Sequence, residues 1–177
     1  LLAGLPSPEQ LRQSAVILEA GMRLPPEALG RRLLALGYEP ATVVTVPGTF
    51  ARRGGIVDFY PPTEPWPVRV EFFGDEVDSL RHFNPADQRS VGLIRRAVAG
   101  LARGLVPDPE GLERLRRTGA EGLRAEARFR LADEVRRLEA GEWFDGVEFY
   151  GPFFNRSSLF DYLPAGTLLV VDGPDEL

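Results

Sequence analysis

Few side chains in this sequence could carry out acid–base or metal chemistry. His82 is the only histidine and cysteine is absent. A metal site would therefore need carboxylates around one imidazole, and a serine–histidine–aspartate triad would depend on His82 alone. His82 falls in a strand-like segment without an evident partner, which favours a structural role. Because disulfides, thiolate catalysis and zinc fingers are also excluded, we expect no catalytic residue, no metal and no cofactor in this chain.

The basic residues are all arginine. The chain contains 21 arginines and no lysine, and its formal net charge is −5. A phosphate-binding loop needs a lysine at the β- and γ-phosphates, so this chain cannot form one. The negative net charge argues against broad, sequence-independent DNA binding, although it leaves local arginine patches open. The sequence therefore favours recognition by another protein over catalysis.

The most informative segment runs from Gly48 to Phe83 and alternates as β-strands do. Within it, Gly74-Asp75 separates two strand patterns as a two-residue hairpin turn with glycine first. This turn pairs Phe73 with Glu76, which fixes the register of both strands.

The register divides the hairpin into two faces, because strand side chains alternate. We predict a core face with Val70, Phe72, Val77 and Ser79, and an outer face with Arg69, Glu71, Phe73, Glu76 and Asp78. Phe73 is then a large apolar ring among charges, and of the nearby Arg52 and Arg53 one must point outward. An exposed aromatic side chain flanked by arginine is typical of an interaction hot spot. The alternative is that Phe73 folds over the hairpin end or under the loop of Trp66.

Helices and further strands surround the hairpin. A capping box at Ser7-Pro8-Glu9-Gln10 predicts a short first helix, and Pro25-Pro26-Glu27 predicts a second helix that ends at Gly37. Strands are predicted at Ala15–Leu18, Thr42–Val46, Phe50–Arg53, Ile56–Tyr60, Val68–Phe73 and Glu76–Phe83.

The second half of the chain begins with Asp108-Pro109-Glu110, which starts a long, charged helix toward Ala140 with a break near Gly119. We interpret its charges as a solvated face; direct DNA binding by the helix Arg114–Arg137 is the alternative. Thr167–Asp172 is apolar and ends in an acid, which is typical of a buried parallel strand. Such a strand needs neighbours on both sides, so we expect the chain to belong to a larger protein.

Length and composition bound the fold. With 177 residues, of which 44% are hydrophobic and 27% charged, the chain can form one ordinary domain or two small ones. We predict an α+β fold, with a mixed or antiparallel, hairpin-rich domain over residues 1–97 and a partial α/β domain over residues 98–177. No apolar run approaches the roughly 20 residues that span a bilayer. No basic-then-apolar leader is present either, so a cytoplasmic location is expected.

Two linked motifs carry a resemblance to a known family. Residues 48–61, GTFARRGGIVDFYP, resemble a strand pair of the UvrB family of nucleotide excision repair, which includes the UvrB-like module of transcription-repair coupling factors (Mfd). Residues 69–78, RVEFFGDEVD, resemble a second segment of the same family. PADQRS at residues 85–90 is similar to the form found in coupling factors. The resemblance extends from about residue 12 to the C-terminus.

The resemblance implies a domain organisation and a binding site. Residues 1–97 would be the UvrA-interaction domain, inserted in a degenerate helicase-like α/β region to which residues 98–177 belong. The implied contacts with UvrA are Arg53, Arg69 and Phe73, with Arg52, Glu71 and Asp78 as weaker rim positions. The arginines would bond acidic groups on UvrA, and Phe73 would fill an apolar pocket. Replacing Phe73 or Arg69 is then expected to remove binding while thermal stability barely changes.

The resemblance also implies an activity for the parent protein. In coupling factors the module brings UvrA to RNA polymerase stalled at DNA damage and has no ATPase activity. In UvrB the final strand ends in an acidic pair, whereas here Asp172 is followed by Gly173-Pro174. The implied function is therefore a non-catalytic interaction module of a DNA translocase that contacts RNA polymerase and DNA. The alternative is a fragment of UvrB, a DNA-dependent ATPase that also docks UvrA.

Overall fold

The computed structural model describes residues 3–119, 122–168 and 170, and these form an α+β fold, as predicted. The helices are α1 (Pro8–Ser14), α2 (Pro26–Ala35), α3 (Pro109–Gly119), α4 (Ala125–Glu139) and α5 (Gly151–Phe154), with 3-10 turns at Val147–Tyr150 and Leu159–Tyr162. The strands are β1 (Ala3–Leu5), β2 (Val16–Glu19), β3 (Glu39–Pro40), β4 (Thr49–Arg53), β5 (Ile56–Phe59), β6 (Val68–Phe73), β7 (Glu76–Phe83), β8 (Ser90–Ile94), β9 (Arg96–Ala99) and β10 (Ser157–Ser158). Among the described helices, none has both the length and the apolar character that a membrane crossing requires.

Six strands form the main sheet in the order β3-β4-β5-β6-β7-β8. All neighbours are antiparallel except β3 and β4. Gly54 and Gly74 turn the chain between β4 and β5 and between β6 and β7, and both have a φ of 60°, a region that side chains with a Cβ rarely adopt. The predicted β6–β7 hairpin is confirmed, with Phe73 opposite Glu76.

The main core lies on one face of this sheet, under α2 and the two-stranded sheet of β2 and β9. The antiparallel pairing of β2 with β9 brings Leu18 opposite Ala97. Fully buried members of this core are Leu18, Leu29, Leu33, Val57, Phe59, Val70 and Val77. The apolar positions that alternate along β5, β6 and β7 therefore anchor the sheet from one side, which leaves its other face for different side chains.

A second core joins α3, α4 and the segment around α5, with Leu115, Leu131, Val135, Leu138 and Phe154 buried. Arg103 connects the two cores: it donates to Glu148 at 3.0 Å and also pairs with Glu39, and its guanidinium lies 5.7 Å from the Trp143 ring centroid. The strand β1 pairs with β10, so the first residues lie beside the second half of the chain. The division between residues 97 and 98 stays a prediction.

The strand predicted at Thr42–Val46 is wrong. The chain runs irregularly there, because β3 lies parallel to β4 and the short connection between them must reverse direction. Val44 is nevertheless fully buried, in a small cluster with Ala51 and Phe83 on the sheet face opposite the main core. Of the three valines in this segment only Val44 is buried, and it anchors a loop and not a strand.

The predicted break in the long helix is confirmed, since α3 ends at Gly119 and α4 begins at Ala125. The strand predicted at Thr167–Asp172 lies in part outside the described residues, namely at residues 169, 171 and 172. Thr167 and Leu168 are described, and they form no regular structure.

Gly111 in α3 provides a test of the second core. A Cβ at this position would lie 2.2 Å from Cδ1 of the buried Phe154 and 3.0 Å from the carbonyl oxygen of Phe153. Gly111→Ala is therefore expected to lower the free energy of unfolding by about 1–3 kcal/mol, despite the better helix propensity of alanine. Gly100→Ala is the matched control, because nothing lies within 4 Å of its Cβ. Equal unfolding midpoints for the two variants in a denaturant titration would contradict the described packing.

Candidate functional site

The sheet face opposite the main core carries most of the predicted contact residues. We call it the polar face and define it by Arg53, Asp58, Arg69, Glu71, Phe73, Ser79 and Arg81. The pairings Asp58–Arg69, Arg69–Arg81 and Glu71–Ser79 are directly opposite each other across β5, β6 and β7. Because residues opposite each other in a sheet share a face, these side chains lie side by side.

Phe73 ends β6 on the polar face, immediately before the Gly74 turn. Its side chain is 84% exposed, so it neither folds over the hairpin end nor lies under the Trp66 loop. The hairpin tip is held at its edge by the segment 21–24, which pairs with the start of β7: Leu24 N donates to Asp75 O at 2.8 Å, and Gly21 N donates to Val77 O at 2.8 Å. A large apolar ring is therefore presented to solvent on a supported hairpin.

Arg69 differs from the expectation that it points freely outward. Its Nε and Nη2 atoms donate to the two carboxylate oxygens of Asp58, each at 2.8 Å, and this hydrogen bonding raises the pKa of Arg69. Its guanidinium also lies 4.7 Å from the ring centroid of the buried Phe83. The Arg69 side chain is only 18% exposed and that of Asp58 only 1%. Arg69 is thus committed to an intramolecular, largely buried ion pair.

Arg53 is the most accessible of the three arginines on the polar face. Its Nη2 donates to Oδ2 of Asp58 at 3.1 Å, and its side chain is 53% exposed. Asp58 therefore receives hydrogen bonds from two arginines of different accessibility, one nearly enclosed and one half in solvent. Among the three arginines of the polar face, Arg53 has the largest exposed fraction, 53% against 29% for Arg81 and 18% for Arg69, so it is the best placed to bind an acidic group on another molecule.

The three predicted rim positions lie in different environments. Arg52 is next to Arg53 in β4 and therefore points to the opposite face, where it pairs with Glu27 of α2. The position of Arg52 thus does not support the prediction that it lies at the rim of the polar face. Glu71 lies on the polar face and accepts from Arg81 at 2.5 Å. Asp78 is exposed near the hairpin tip.

The prediction that Ser79 faces the core is wrong. The pairing of β6 with β7 shifts between Glu71 and Phe72, so that Asp78 is an extra residue and Ser79 lies opposite Glu71. Ser79 Oγ donates to Glu71 Oε2 at 2.8 Å on the polar face. The bulge explains why the buried Leu80, and not Ser79, continues the core face of β7.

Sequence reasoning missed Asp58, Ser79 and Arg81 as members of the site. Asp58 had a detectable signal, because a single aspartate between Val57 and Phe59 in an apolar strand is unfavourable unless it finds a partner. Arg81 had no such signal, since its pairing with Glu71 depends on the bulge. The polar face carries three arginines and two carboxylates, and the exposed Glu76 opposite Phe73 adds a third carboxylate at the hairpin tip.

His82, the single histidine, is half-buried in β7, and its Nδ1 lies 3.3 Å from the carbonyl oxygen of Pro67. This contact joins the strand to the loop before β6, which is the environment of a structural histidine. In the ranges 3–119 and 122–168, no group of three or more histidine, aspartate or glutamate side chains is arranged to hold a metal ion.

Comparisons with known proteins bear on the same half of the chain. Residues 16–99 match a family described as the UvrB interaction domain. The match includes β2 through β9, and therefore every residue of the polar face.

Curated relatives align with nearly the whole chain. This chain is 36% identical to a transcription-repair-coupling factor of Bacillus subtilis, with 95% of this chain aligned to 16% of the relative. It is 34% identical to UvrABC system protein B of Chlorobaculum tepidum, with 96% of this chain aligned to 28% of the relative. The coupling factor of Escherichia coli is 30% identical, with 92% of this chain aligned to 14% of the relative. The chain thus spans less than a third of the length of these relatives.

Proposed function

We propose that the polar face docks UvrA, because residues 16–99, which contain this face, match the UvrB interaction domain family. Phe73 inserts into an apolar pocket of UvrA, and Arg53 forms a charge-assisted hydrogen bond with an acidic group beside that pocket. The chain therefore acts as a protein-interaction module in nucleotide excision repair.

The observation that carries the proposal is the exposure of Phe73 beside a network of arginine–carboxylate ion pairs. Phe73 is 84% exposed. It is the last residue of β6 and lies on the same face of that strand as Arg69 and Glu71. Aromatic side chains and arginines at the centre of an interface supply much of the binding free energy, while the surrounding contacts exclude water. The polar face offers this combination on β-strands whose other face is fixed by the main core.

Competition for purified UvrA tests the proposal. The 177-residue chain is expected to bind UvrA in isothermal titration calorimetry, and prior saturation of UvrA with UvrB is expected to block that binding. This follows because UvrB is a relative with the same domain and would occupy the same surface. Simultaneous binding of UvrB and this chain to one UvrA site would contradict a shared docking surface.

We extend the proposal to the parent protein. As part of a transcription-repair coupling factor, the module recruits UvrA to RNA polymerase stalled at damaged DNA, in the cytoplasm. Catalysis is then absent from this chain, and DNA translocation with ATP hydrolysis belongs to another part of the parent. The similarity to UvrABC system protein B keeps a UvrB fragment as the second candidate. An ATP-binding measurement on the complete parent, together with a test for RNA polymerase binding, separates the two.

Direct DNA binding by α3 and α4 is not expected. Their arginines are interspersed with acids: Arg136 lies 2.6 Å from Asp133, and Arg116 lies 3.6 Å from Glu113 and also pairs with Glu139. With a net charge of −5, the chain is expected to leave the fluorescence anisotropy of labelled duplex DNA unchanged at both 50 and 200 mM salt. Binding that weakens steeply between these salt concentrations would instead indicate phosphate contacts.

A further inference from the structure

Asp58 lies at the centre of the polar face and has no role in the docking contacts described so far. Its side chain is 1% exposed, and its two oxygens accept three hydrogen bonds from arginine. Oδ1 accepts from Arg69 Nε at 2.8 Å, whereas Oδ2 accepts from Arg69 Nη2 at 2.8 Å and from Arg53 Nη2 at 3.1 Å. One buried carboxylate therefore links the enclosed arginine to the exposed one.

Arg69 has few unused hydrogen-bond donors and little exposed surface for contact with a partner protein. Two of its nitrogens are used by Asp58, its Nη1 lies 3.5 Å from the carbonyl oxygen of Gln88, and the Phe83 ring lies 4.7 Å from its guanidinium carbon. Only 18% of its side chain is exposed. A protein that binds the polar face can therefore contact only the small exposed part of the Arg69 side chain.

Arg53 is in the opposite situation. It uses Nη2 toward Asp58 and leaves half of its side chain in solvent. A free arginine side chain populates many rotamers, and ordering it on binding opposes association. The bond to Asp58 restricts Arg53 before the partner arrives, and Arg69 in turn fixes Asp58 with a bidentate pair.

We propose that Asp58 is a positioning residue for docking: it holds Arg53 in the orientation that meets the acidic group of UvrA, and Arg69 acts through Asp58 without contacting UvrA. This inference rests on the proposed function. It assigns each residue a place in one chain of contacts: Arg69 fixes Asp58, and Asp58 fixes Arg53. Of the two arginines that bind Asp58, Arg53 is then the one that UvrA contacts.

A double-mutant cycle on UvrA affinity tests this order. Asp58→Asn keeps the shape of the side chain and removes its charge, and it is expected to weaken binding about tenfold in the otherwise unchanged chain. In an Arg53→Ala background the same substitution is expected to weaken binding by less than about twofold, because the side chain that it positions is gone. Equal effects in the two backgrounds would overturn the proposal.

Arg69→Lys provides a second cycle if Asp58→Asn folds poorly. Lysine retains a positive charge for Asp58 but loses the two-point geometry, so affinity is expected to fall about three- to tenfold, again only when Arg53 is present. A loss that persists in the Arg53→Ala background would show direct contact between Arg69 and UvrA and would overturn the proposal.

Failure of the inference can be told apart from failure of the docking function. In the free chain, the ¹⁵N NMR order parameter of the Arg53 Nε–H group is expected to be high and to fall in Asp58→Asn. An unchanged order parameter would overturn the positioning role even if UvrA binds. Conversely, if Phe73→Ala binds UvrA as well as the unchanged chain does, the docking function on this face fails, whatever the order parameter of Arg53.

Discussion

Replacing Phe73 with alanine is expected to weaken binding to UvrA by about 30- to 1,000-fold, which corresponds to a loss of about 2–4 kcal/mol at a central interface residue. The ring is 84% exposed in the free chain, so it makes little contribution to folding. The free energy of unfolding is therefore expected to change by no more than about 0.5 kcal/mol. Isothermal titration calorimetry with purified UvrA measures the first effect, and thermal unfolding measures the second.

Phe129 supplies the matched control for this prediction. It lies in α4, outside the polar face, and is 77% exposed. Phe129→Ala removes an equally accessible ring and is expected to leave UvrA affinity within about twofold. If the two variants weaken binding equally, the effect is not specific to the hairpin tip and the docking assignment is wrong.

Arg69→Met is expected to lower the free energy of unfolding by about 3 kcal/mol, because it leaves the carboxylate of Asp58 buried with only one remaining ion-pair partner. For a chain of this length the unfolding midpoint should fall by roughly 6–12 °C. This outcome differs from the sequence-based expectation that replacing Arg69 barely alters stability. Thermal unfolding followed by circular dichroism provides the measurement.

Two further variants determine the cause of that destabilisation. Arg53→Met removes the half-exposed partner of Asp58 and is expected to change stability by less than about 1 kcal/mol. Adding Asp58→Asn to Arg69→Met removes the unpaired buried charge, so the double variant should be more stable than Arg69→Met alone. A double variant that is less stable than the single one would show that Arg69 contributes mainly by packing on Phe83.

The hairpin could be predicted from the sequence because its determinants are local. The strand alternation and the Gly74 turn lie within a few residues of each other, and β6 and β7 have their predicted bounds. The same local pattern placed Phe73 on the outer face. It failed at Ser79, because the bulge at Asp78 is an insertion in the pairing that alternation along one strand cannot indicate.

The ion pair of Asp58 with Arg69 could not be predicted in the same way. Their strands are joined by the loop of residues 60–67, which does not fix a register as a two-residue turn does. Only the observed pairing places Asp58 opposite Arg69. The burial of Val44 likewise depends on its contact with Phe83, far away in the sequence. The outward direction of Phe73 was therefore predictable from local alternation, whereas the intramolecular partner of Arg69 was not.

Photo-crosslinking from position 73 tests most directly whether UvrA docks on the polar face. Benzoylphenylalanine in place of Phe73 keeps an aromatic ring at the hairpin tip, and the same substitution at Phe129 serves as the control. Irradiation of the mixed proteins is expected to join UvrA to the chain from position 73 and not from position 129. Crosslinking from position 129 with none from position 73 would contradict docking of UvrA on the polar face.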